Sequence, residues 1–154
     1  MPVFPPDKPT WRMRRGHTLL ELAITVSLVG VVTAAALPRL LGWLDWIAVE
    51  RSATELTSAL VVARGAALTR AARTRLTIGP DSLRLDEWGD GTWVPVGRWP
   101  GPDRYSVAMT VSNPIVTFNA TGVGRGAANT KVVLTRRLQI ATITTSRLGR
   151  VKRW

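Results

Sequence analysis

The sequence contains no cysteine and a single histidine, His17, among its 154 residues. The lack of thiols excludes disulfide bonds and thiolate metal sites, so a hydrophobic core has to hold the fold together. One histidine is too few for a histidine metal cluster, and a position beside an apolar run does not suit a Ser-His-Asp triad. We therefore expect no catalytic residue, no metal and no cofactor, and a protein that is not an enzyme.

Acidic residues are also scarce, ten against twenty-one lysines and arginines, which gives a formal net charge of +11. Only Asp86, Glu87 and Asp90 lie close together, and we interpret them as a solvated hairpin flank rather than an acid/base pair. Asp103 is the last acidic residue, so the final third of the chain is purely basic. Such a field of one sign attracts polyanions.

A long apolar run near the N-terminus is the main positive feature. The twenty residues from Thr18 to Leu37 contain one charged side chain, Glu21. About 20 apolar residues suffice for a helix to cross a bilayer, and a carboxylate within such a span indicates a function and a partner. Four basic residues precede the run, which predicts a cytoplasmic N-terminus with the bulk of the chain on the far side of the membrane. They are Lys8, Arg12, Arg14 and Arg15.

The segment Arg14-Arg15-Gly16-His17-Thr18-Leu19-Leu20-Glu21-Leu22 resembles the processing motif of type IV prepilins and pseudopilins. The resemblance implies that a prepilin peptidase cleaves between Gly16 and His17 and that the new N-terminus, His17, is methylated. It also implies that Glu21 pairs with the N-terminal amine of a neighbouring subunit during filament assembly. Pro38 lies where many pilins carry a proline, whereas His17 stands where the family usually has phenylalanine or methionine.

Two other interpretations of the same segment remain open. A secretory signal peptide would use residues 22–32 as its apolar core and Ala34-Ala35-Ala36 as its cleavage site, which would leave a secreted protein such as an enzyme. A plain single-span anchor is the other alternative. Both leave Glu21 unexplained, whereas the prepilin interpretation accounts for Gly16, Glu21 and the basic pair together.

Periodicity predicts how the chain is organised beyond the leader. The prepilin resemblance implies a leader at 1–16 and a filament-core role for a transmembrane helix at 17–42. We expect a periplasmic globular domain at 43–154 that begins with helix 43–70. A narrow apolar stripe at helical spacing predicts one helix from Thr18 to Thr69, loosened near Pro38 and Gly42 and packed on a sheet. The stripe comprises Val49, Ala53, Leu56, Leu60, Ala63 and Ala67, and Trp43 and Trp46 fit an interfacial aromatic belt.

From Arg73 onward, apolar residues alternate with polar ones, which predicts short strands. We expect two hairpins with turns at 79–82 and 89–91, further strands at 105–111, 115–118, 131–136 and 138–144, and a mobile loop at 122–129. Seven strands after one long helix predict an α+β, pilin-like domain with antiparallel sheets.

The globular part resembles the GspH/FimT family in several short motifs. These are Ala63-Arg64, Phe118 to Gly122, Ile143 to Ser146, and Leu148-Gly149-Arg150-Val151-Lys152. The family comprises minor pseudopilins of type II secretion systems and minor pilins of type IV pili. The resemblance therefore implies two packed sheets and a tip or initiating subunit of a periplasmic filament, with other pilins as partners.

Some members of this family bind DNA through a C-terminal Gly-Arg-x-Arg motif during natural transformation (competence), and Gly149-Arg150-Val151-Lys152 is similar. We expect non-specific phosphate contacts, with Trp154 either stacking on a base or packing on its own domain. The expected DNA-binding residues are Arg125, Arg136, Arg137, Arg147, Arg150, Lys152 and Arg153. The alternatives are a solvated basic face, a patch that meets acidic subunits or anionic lipid, and a GspH-like role in protein export without DNA.

Overall fold

The computed structural model describes residues 18–126 and 129–154. The predicted cleavage site, Gly16 and His17, and the predicted leader lie outside the described residues. The chain divides into two compact units, and the boundary falls between Pro38 and Arg39. Our predicted domain boundary at 42/43 lies close to this division and stays a prediction.

Helix α1 spans Leu19–Thr69, which confirms the helix predicted from Thr18 to Thr69. Thr18 caps it, because its Oγ1 accepts a hydrogen bond from the Glu21 backbone N–H at 3.1 Å. Pro38 lies inside the helix. In the second unit, every residue of the predicted apolar stripe, from Val49 to Ala67, is buried.

The alanines in this stripe let the strands approach α1 closely. Thr74, at the start of the first strand, is buried and donates its hydroxyl to the Ala63 carbonyl oxygen at 2.8 Å. Phe118, Leu76 and Leu134 come from different strands and are all buried in the same core cluster as Leu56. The core therefore forms between one face of α1 and the strands, as the stripe predicted.

The described residues contain nine strands in two antiparallel sheets. The first sheet has five strands in the order β3-β2-β1-β5-β6, and the second has four in the order β4-β7-β8-β9. The predicted α+β class with two antiparallel sheets is confirmed. The strands are β1 Thr74–Ile78, β2 Ser82–Gly89, β3 Thr92–Pro100, β4 Ala108–Val111, β5 Ile115–Phe118, β6 Gly124–Arg125, β7 Thr130–Arg136, β8 Gln139–Thr145 and β9 Val151–Arg153.

The strand predicted at 105–111 is wrong in its first half. Pro102–Tyr105 forms a 3₁₀ helix, and β4 begins only at Ala108. The cause is a tertiary contact with the turn at Pro80, which the alternation of apolar and polar residues cannot show. The backbone N–H of Asp103 donates to the Pro80 carbonyl oxygen at 3.0 Å, and Gly101 lies so close to Pro80 that a Cβ there would clash.

The prediction of seven strands is wrong by two. Strand β6 lies inside the segment expected to be a mobile loop, and β9 follows the Gly149 turn at the C-terminus. Both strands are two or three residues long and show no alternation of their own. They form by pairing with the backbone N–H and C=O groups at the edge of a neighbouring strand. Arg125 of β6 pairs with Thr117 of β5, and Lys152 of β9 pairs with Thr144 of β8.

The interpretation of Asp86 as part of a solvated flank is also wrong. Asp86 is buried on β2, where Arg75 of β1 stands directly opposite and donates to its Oδ2 at 2.8 Å. Arg84 places its Nε 3.1 Å from Oδ1 of the same carboxylate. A buried carboxylate requires such partners. Arg75 comes from the pairing of β1 with β2, which local sequence does not show, whereas Arg84 lies two residues earlier on the same strand.

Candidate functional site

The N-terminal part of α1 exposes a continuous apolar surface. An 18-residue window of this helix has a mean hydropathy of 2.1, and no residue in that window is buried. Leu19 is 88% exposed, and Leu22, Ile24 and Val26 are exposed as well. By length and composition, α1 is the one helix within residues 18–126 and 129–154 that could cross a membrane. A surface of this size requires lipid or other apolar helices around it.

Glu21 lies in the first turn of this helix, three residues after the capping Thr18. A carboxylate in the first turn interacts favourably with the positive end of the helix dipole. Glu21 therefore has a local role at the helix start, which our sequence analysis missed although the Thr-x-x-Glu spacing is a capping-box signal. Its pairing with the amine of a neighbouring subunit stays a prediction.

Two of the predicted DNA-binding residues, Arg136 and Arg137, lie at the β7–β8 turn and contact α1. Arg136 donates Nε–H to Asp45 Oδ1 at 2.8 Å and Nη1–H to the Tyr105 carbonyl oxygen. Arg137 places Nη1 3.5 Å from Asp45 Oδ2. The Asp45 side chain is only 7% exposed, so these two arginines neutralise a buried carboxylate. They link the hairpin to the helix.

Arg153, a third predicted DNA-binding residue, is also paired with a carboxylate on α1. Its guanidinium donates to both carboxylate oxygens of Glu50, with Nη1 2.6 Å from Oε1. These hydrogen bonds hold the pKa of the Glu50 carboxyl below its ordinary value and raise the pKa of Arg153. This bidentate ion pair links β9 to α1.

Arg147, Arg150 and Lys152 are exposed, and within the part of the chain that the structure describes no carboxylate forms an ion pair with them. Arg150 and Lys152 line a surface depression of about 370 Å³ together with Asn129, Thr144, Thr145 and Ser146. Lys152 Nζ lies 3.5 Å from the centre of the Trp154 ring, and Trp154 remains 68% exposed. These three cations form the part of the predicted basic face that is available to a ligand.

Arg125 lies on the other sheet. It belongs to β6, at the edge of the five-stranded sheet, and stands opposite Thr117. The loop before Arg150 reaches this edge, because the Gly124 N–H donates to the Arg147 carbonyl oxygen at 2.6 Å. The seven residues predicted as one DNA-binding face are therefore divided between two sheets and the α1 side of the domain.

Sequence reasoning missed the role of Arg64, although it noted Ala63-Arg64 as a family motif. The Arg64 side chain donates Nε–H to the Gly122 carbonyl oxygen at 3.2 Å and Nη1–H to the Gly149 carbonyl oxygen at 3.3 Å. Both glycines have positive φ, +71° and +70°. The Arg64 guanidinium therefore connects three of the short motifs noted in the sequence, namely Ala63-Arg64, the segment that ends at Gly122 and the segment that contains Gly149.

Comparisons with known proteins agree with this geometry. Residues 11–37 match the model of the prokaryotic N-terminal methylation motif. Two crystal forms of the type IV minor pilin FimU of Pseudomonas aeruginosa PAO1 have a similar fold, with TM-scores of 0.58 and 0.57 and 16% sequence identity. The superposition covers 68% of this chain and 86% or 91% of the FimU chain. No curated protein sequence matches the chain.

Motif and fold together define the class of protein. The chain carries a prepilin-type N-terminal methylation motif that includes the exposed, apolar N-terminal part of α1, and it has the pilin fold, one long helix followed by two antiparallel sheets. These are features of a structural subunit rather than of an enzyme.

Proposed function

We propose that this protein is a minor pilin or pseudopilin, a filament subunit that first resides in the bacterial cell membrane. The N-terminal part of α1 spans the membrane with its N-terminus in the cytoplasm and the globular domain in the periplasm. Prepilin peptidase cleaves between Gly16 and His17, and the amine of His17 is methylated. One observation carries the proposal: the methylation motif at 11–37 includes the N-terminal part of α1, in which every residue from Leu19 to Leu41 is exposed.

Cleavage creates a new charged group at the start of the helix. It releases an α-amine at His17, four residues before Glu21, inside a segment surrounded by lipid or by other helices. An amine and a carboxylate in an apolar environment each require a partner of opposite charge. We infer that the Glu21 carboxylate of one subunit binds the His17 amine of its neighbour, and that this pair draws the subunit into the filament.

A glycine substitution tests the processing step. Gly16→Ala should leave the full-length precursor in the membrane when prepilin peptidase is present, whereas the unaltered chain shortens. Gly30→Ala is the matched control, because Gly30 lies in α1 with no atom within 4 Å of an added Cβ. Processing of Gly16→Ala at the normal rate would refute the proposed cleavage site.

Two filament systems fit the proposal. The FimU likeness concerns the fold of a type IV minor pilin, and we propose a place at the tip of a type IV pilus. The alternative is a GspH-like pseudopilin that acts in protein export by a type II secretion system. Deleting the gene and assaying both pilus assembly and protein secretion distinguishes them, since each role predicts a defect in one assay only.

A second proposed function is capture of DNA at the C-terminal basic face, as in competence. The supporting observation is that Arg147, Arg150 and Lys152 are exposed cations near the C-terminus, and that Arg150 and Lys152 line one polar depression. Because Arg136, Arg137 and Arg153 form ion pairs with α1, we now assign phosphate contacts to these three residues and not to the paired ones.

The test uses the full-length protein in detergent and a gel shift with duplex DNA at low salt. Arg150→Gln together with Lys152→Gln should weaken binding and reduce the slope of log K against log salt by about 1.8, since each phosphate contact in duplex DNA contributes about 0.9. Arg51→Gln with Arg104→Gln removes the same charge from exposed sites elsewhere and should leave the slope unchanged. Equal losses in both double variants would reject the site.

A further inference from the structure

The five-stranded sheet turns one face toward the core and the other toward solvent. On β1, Leu76 and Ile78 are buried in the core, so Arg75 between them projects from the opposite face. Pairing with β2 sets Asp86 beside Arg75 on that outer face, and Arg73 just before β1 stands beside Trp88. The strands of this outer face therefore carry arginines, tryptophans and the carboxylate of Asp86.

Two arginines on this face stand directly opposite each other. Arg84 of β2 pairs in register with Arg98 of β3, and their side chains are 54% and 72% exposed. Like charges at such a position destabilise a sheet unless an anion lies between or above them. The buried Asp86 is shared between Arg84 and Arg75, and the exposed Asp81 lies 4.0 Å from Arg98. Positive charge thus exceeds negative charge on this face.

Two tryptophans lie among these arginines. The Trp88 and Trp93 rings meet edge to face with centres 5.1 Å apart. The Arg75 guanidinium lies 4.4 Å from the Trp93 ring centre, and that of Arg73 lies 5.6 Å from the Trp88 ring centre. These cation–π contacts place both guanidinium groups against the rings while the arginines keep their charge.

Two surface depressions lie along this face. One, of about 360 Å³, is lined by Arg73, Trp88, Asn119 and Arg125, along with small residues of the adjoining loops. The other, of about 270 Å³, is lined by Arg84 and Arg98 with Thr77 and Asp81. Arg125 shares the face because it stands opposite Thr117, which in turn stands opposite Arg75. The basic groups therefore extend across the whole sheet.

We propose that this surface, the arginine–tryptophan face, binds single-stranded nucleic acid. It comprises Arg73, Arg75, Arg84, Arg98, Arg125, Trp88 and Trp93. The exposed side chains of Arg84, Arg98 and Arg125 contact phosphates and Trp88 stacks on a base, a combination typical of single-strand binding. Arg75, which already neutralises the buried Asp86, supports the Trp93 ring and leaves the charge of Arg84 in excess. Aromatic rings interleaved with spread guanidinium groups favour this ligand over an acidic protein or a lipid surface. The face lies on a different sheet from the C-terminal contact proposed above and does not depend on it.

The test measures fluorescence anisotropy of a short labelled oligothymidylate with the full-length protein in detergent, over a series of salt concentrations. Arg84→Gln with Arg98→Gln should reduce the slope of log K against log salt by about 1.4, because each phosphate contact to a single strand contributes about 0.7. Arg51→Gln with Arg104→Gln is the charge-matched control and should keep the original slope. Arg84→Lys with Arg98→Lys should also keep it, which separates lost charge from lost folding.

A tryptophan substitution tests the stacking contact separately. Trp88→Leu should weaken oligothymidylate binding about fivefold or more, with the salt slope unchanged, since stacking carries no counterion release. The seven tryptophans of the chain make intrinsic fluorescence a poor readout, so the label is placed on the nucleic acid.

Four results would overturn the inference. The first is an unchanged slope in the Arg84/Arg98 glutamine variant, and the second is an equal change in its control. The third is tighter binding to polyglutamate of equal charge, or to phosphatidylglycerol vesicles, than to oligothymidylate, which would assign the face to an acidic protein or to lipid. The fourth is complete loss of oligothymidylate binding in the Arg150/Lys152 glutamine variant. That result would show that the single strand binds at the C-terminal basic face, so it would support the C-terminal proposal and refute this one.

Discussion

The Arg64 guanidinium donates a hydrogen bond to the carbonyl oxygen of Gly149, 85 residues further along the chain, at 3.3 Å. A Cβ at Gly149 would lie 2.7 Å from the Arg64 Cδ and Nε atoms, closer than side-chain contacts allow. The hydrogen bond from Arg64 to the turn that leads into β9 can therefore keep this geometry only while residue 149 is glycine. This contact sets the position of the basic residues that follow it.

We predict that Gly149→Ala destabilises the protein more than Gly91→Ala. Both glycines have positive φ, +70° and +79°, so alanine at either costs about 1–2 kcal/mol in backbone strain. Only at Gly149 would the added methyl group displace the Arg64 side chain from its hydrogen bonds to Gly122 and Gly149, which costs roughly another 1 kcal/mol for each bond lost, since Gly91 has open space around it. Thermal unfolding in detergent measures the difference, and equal losses would contradict the account of the Arg64 contact.

Asp45 should be essential for holding the β7–β8 turn against α1. Asp45→Asn leaves Arg136 partly buried without its countercharge, which we expect to reduce the free energy of unfolding by about 2–3 kcal/mol. Asp103→Asn, at an exposed position, is the control and should change it by less than about 0.5 kcal/mol. Denaturant titration measures both. Similar stability of the two variants would show that the ion pair contributes little.

The Glu50–Arg153 pair predicts a small dependence of stability on pH. Because Arg153 lowers the pKa of Glu50 in the folded state, the pair contributes stability above the ordinary value of 4.5 and loses it as the pH falls through the lower folded pKa. Glu50→Gln should therefore cost less than about 1 kcal/mol near neutral pH, as for exposed pairs, and nothing in strong acid. Arg153→Gln should give the same profile in thermal unfolding. A pH-independent difference would contradict this assignment.

Glu21→Gln should allow processing but block assembly. The uncharged amide cannot neutralise the methylated amine of His17, so a charge would remain unpaired in an apolar environment. Glu21→Asp keeps the charge and should assemble better than the glutamine variant. Filament yield is measured by shearing and immunoblotting, with circular dichroism to show that helix content is retained. Normal filament yield in Glu21→Gln would reduce Glu21 to its role at the helix start.

Periodicity was sufficient to predict the helix and the first strands. The stripe from Val49 to Ala67 repeats at steps of three and four, and every one of its residues is buried. Alternation at Leu76 and Ile78 likewise predicted β1 correctly. These patterns are local, so the sequence displays them directly. Strands β6 and β9 have no pattern of this kind and were missed.

Ion pairs across the fold could not be predicted. Arg136 and Asp45 are 91 residues apart, and Arg153 and Glu50 are 103 apart. A run of arginines in the sequence shows where positive charge is, but not which carboxylate neutralises it. Asp86 was mistaken for a solvated residue because its contact with Arg75 depends on the register in which β1 and β2 pair. The outer face of the five-stranded sheet was missed because its arginines come from four separate strands and the loop before β1.

The N-terminal residue of the mature protein tests the central claim most directly. Mass spectrometry of the protein purified from membranes should show a chain that begins at methylated His17 and retains Glu21 with the whole of α1. A mature chain that begins after Ala36 would instead show removal of a signal peptide. Because such a chain would lack Glu21 and the exposed apolar helix, that result would contradict the assignment as a filament subunit.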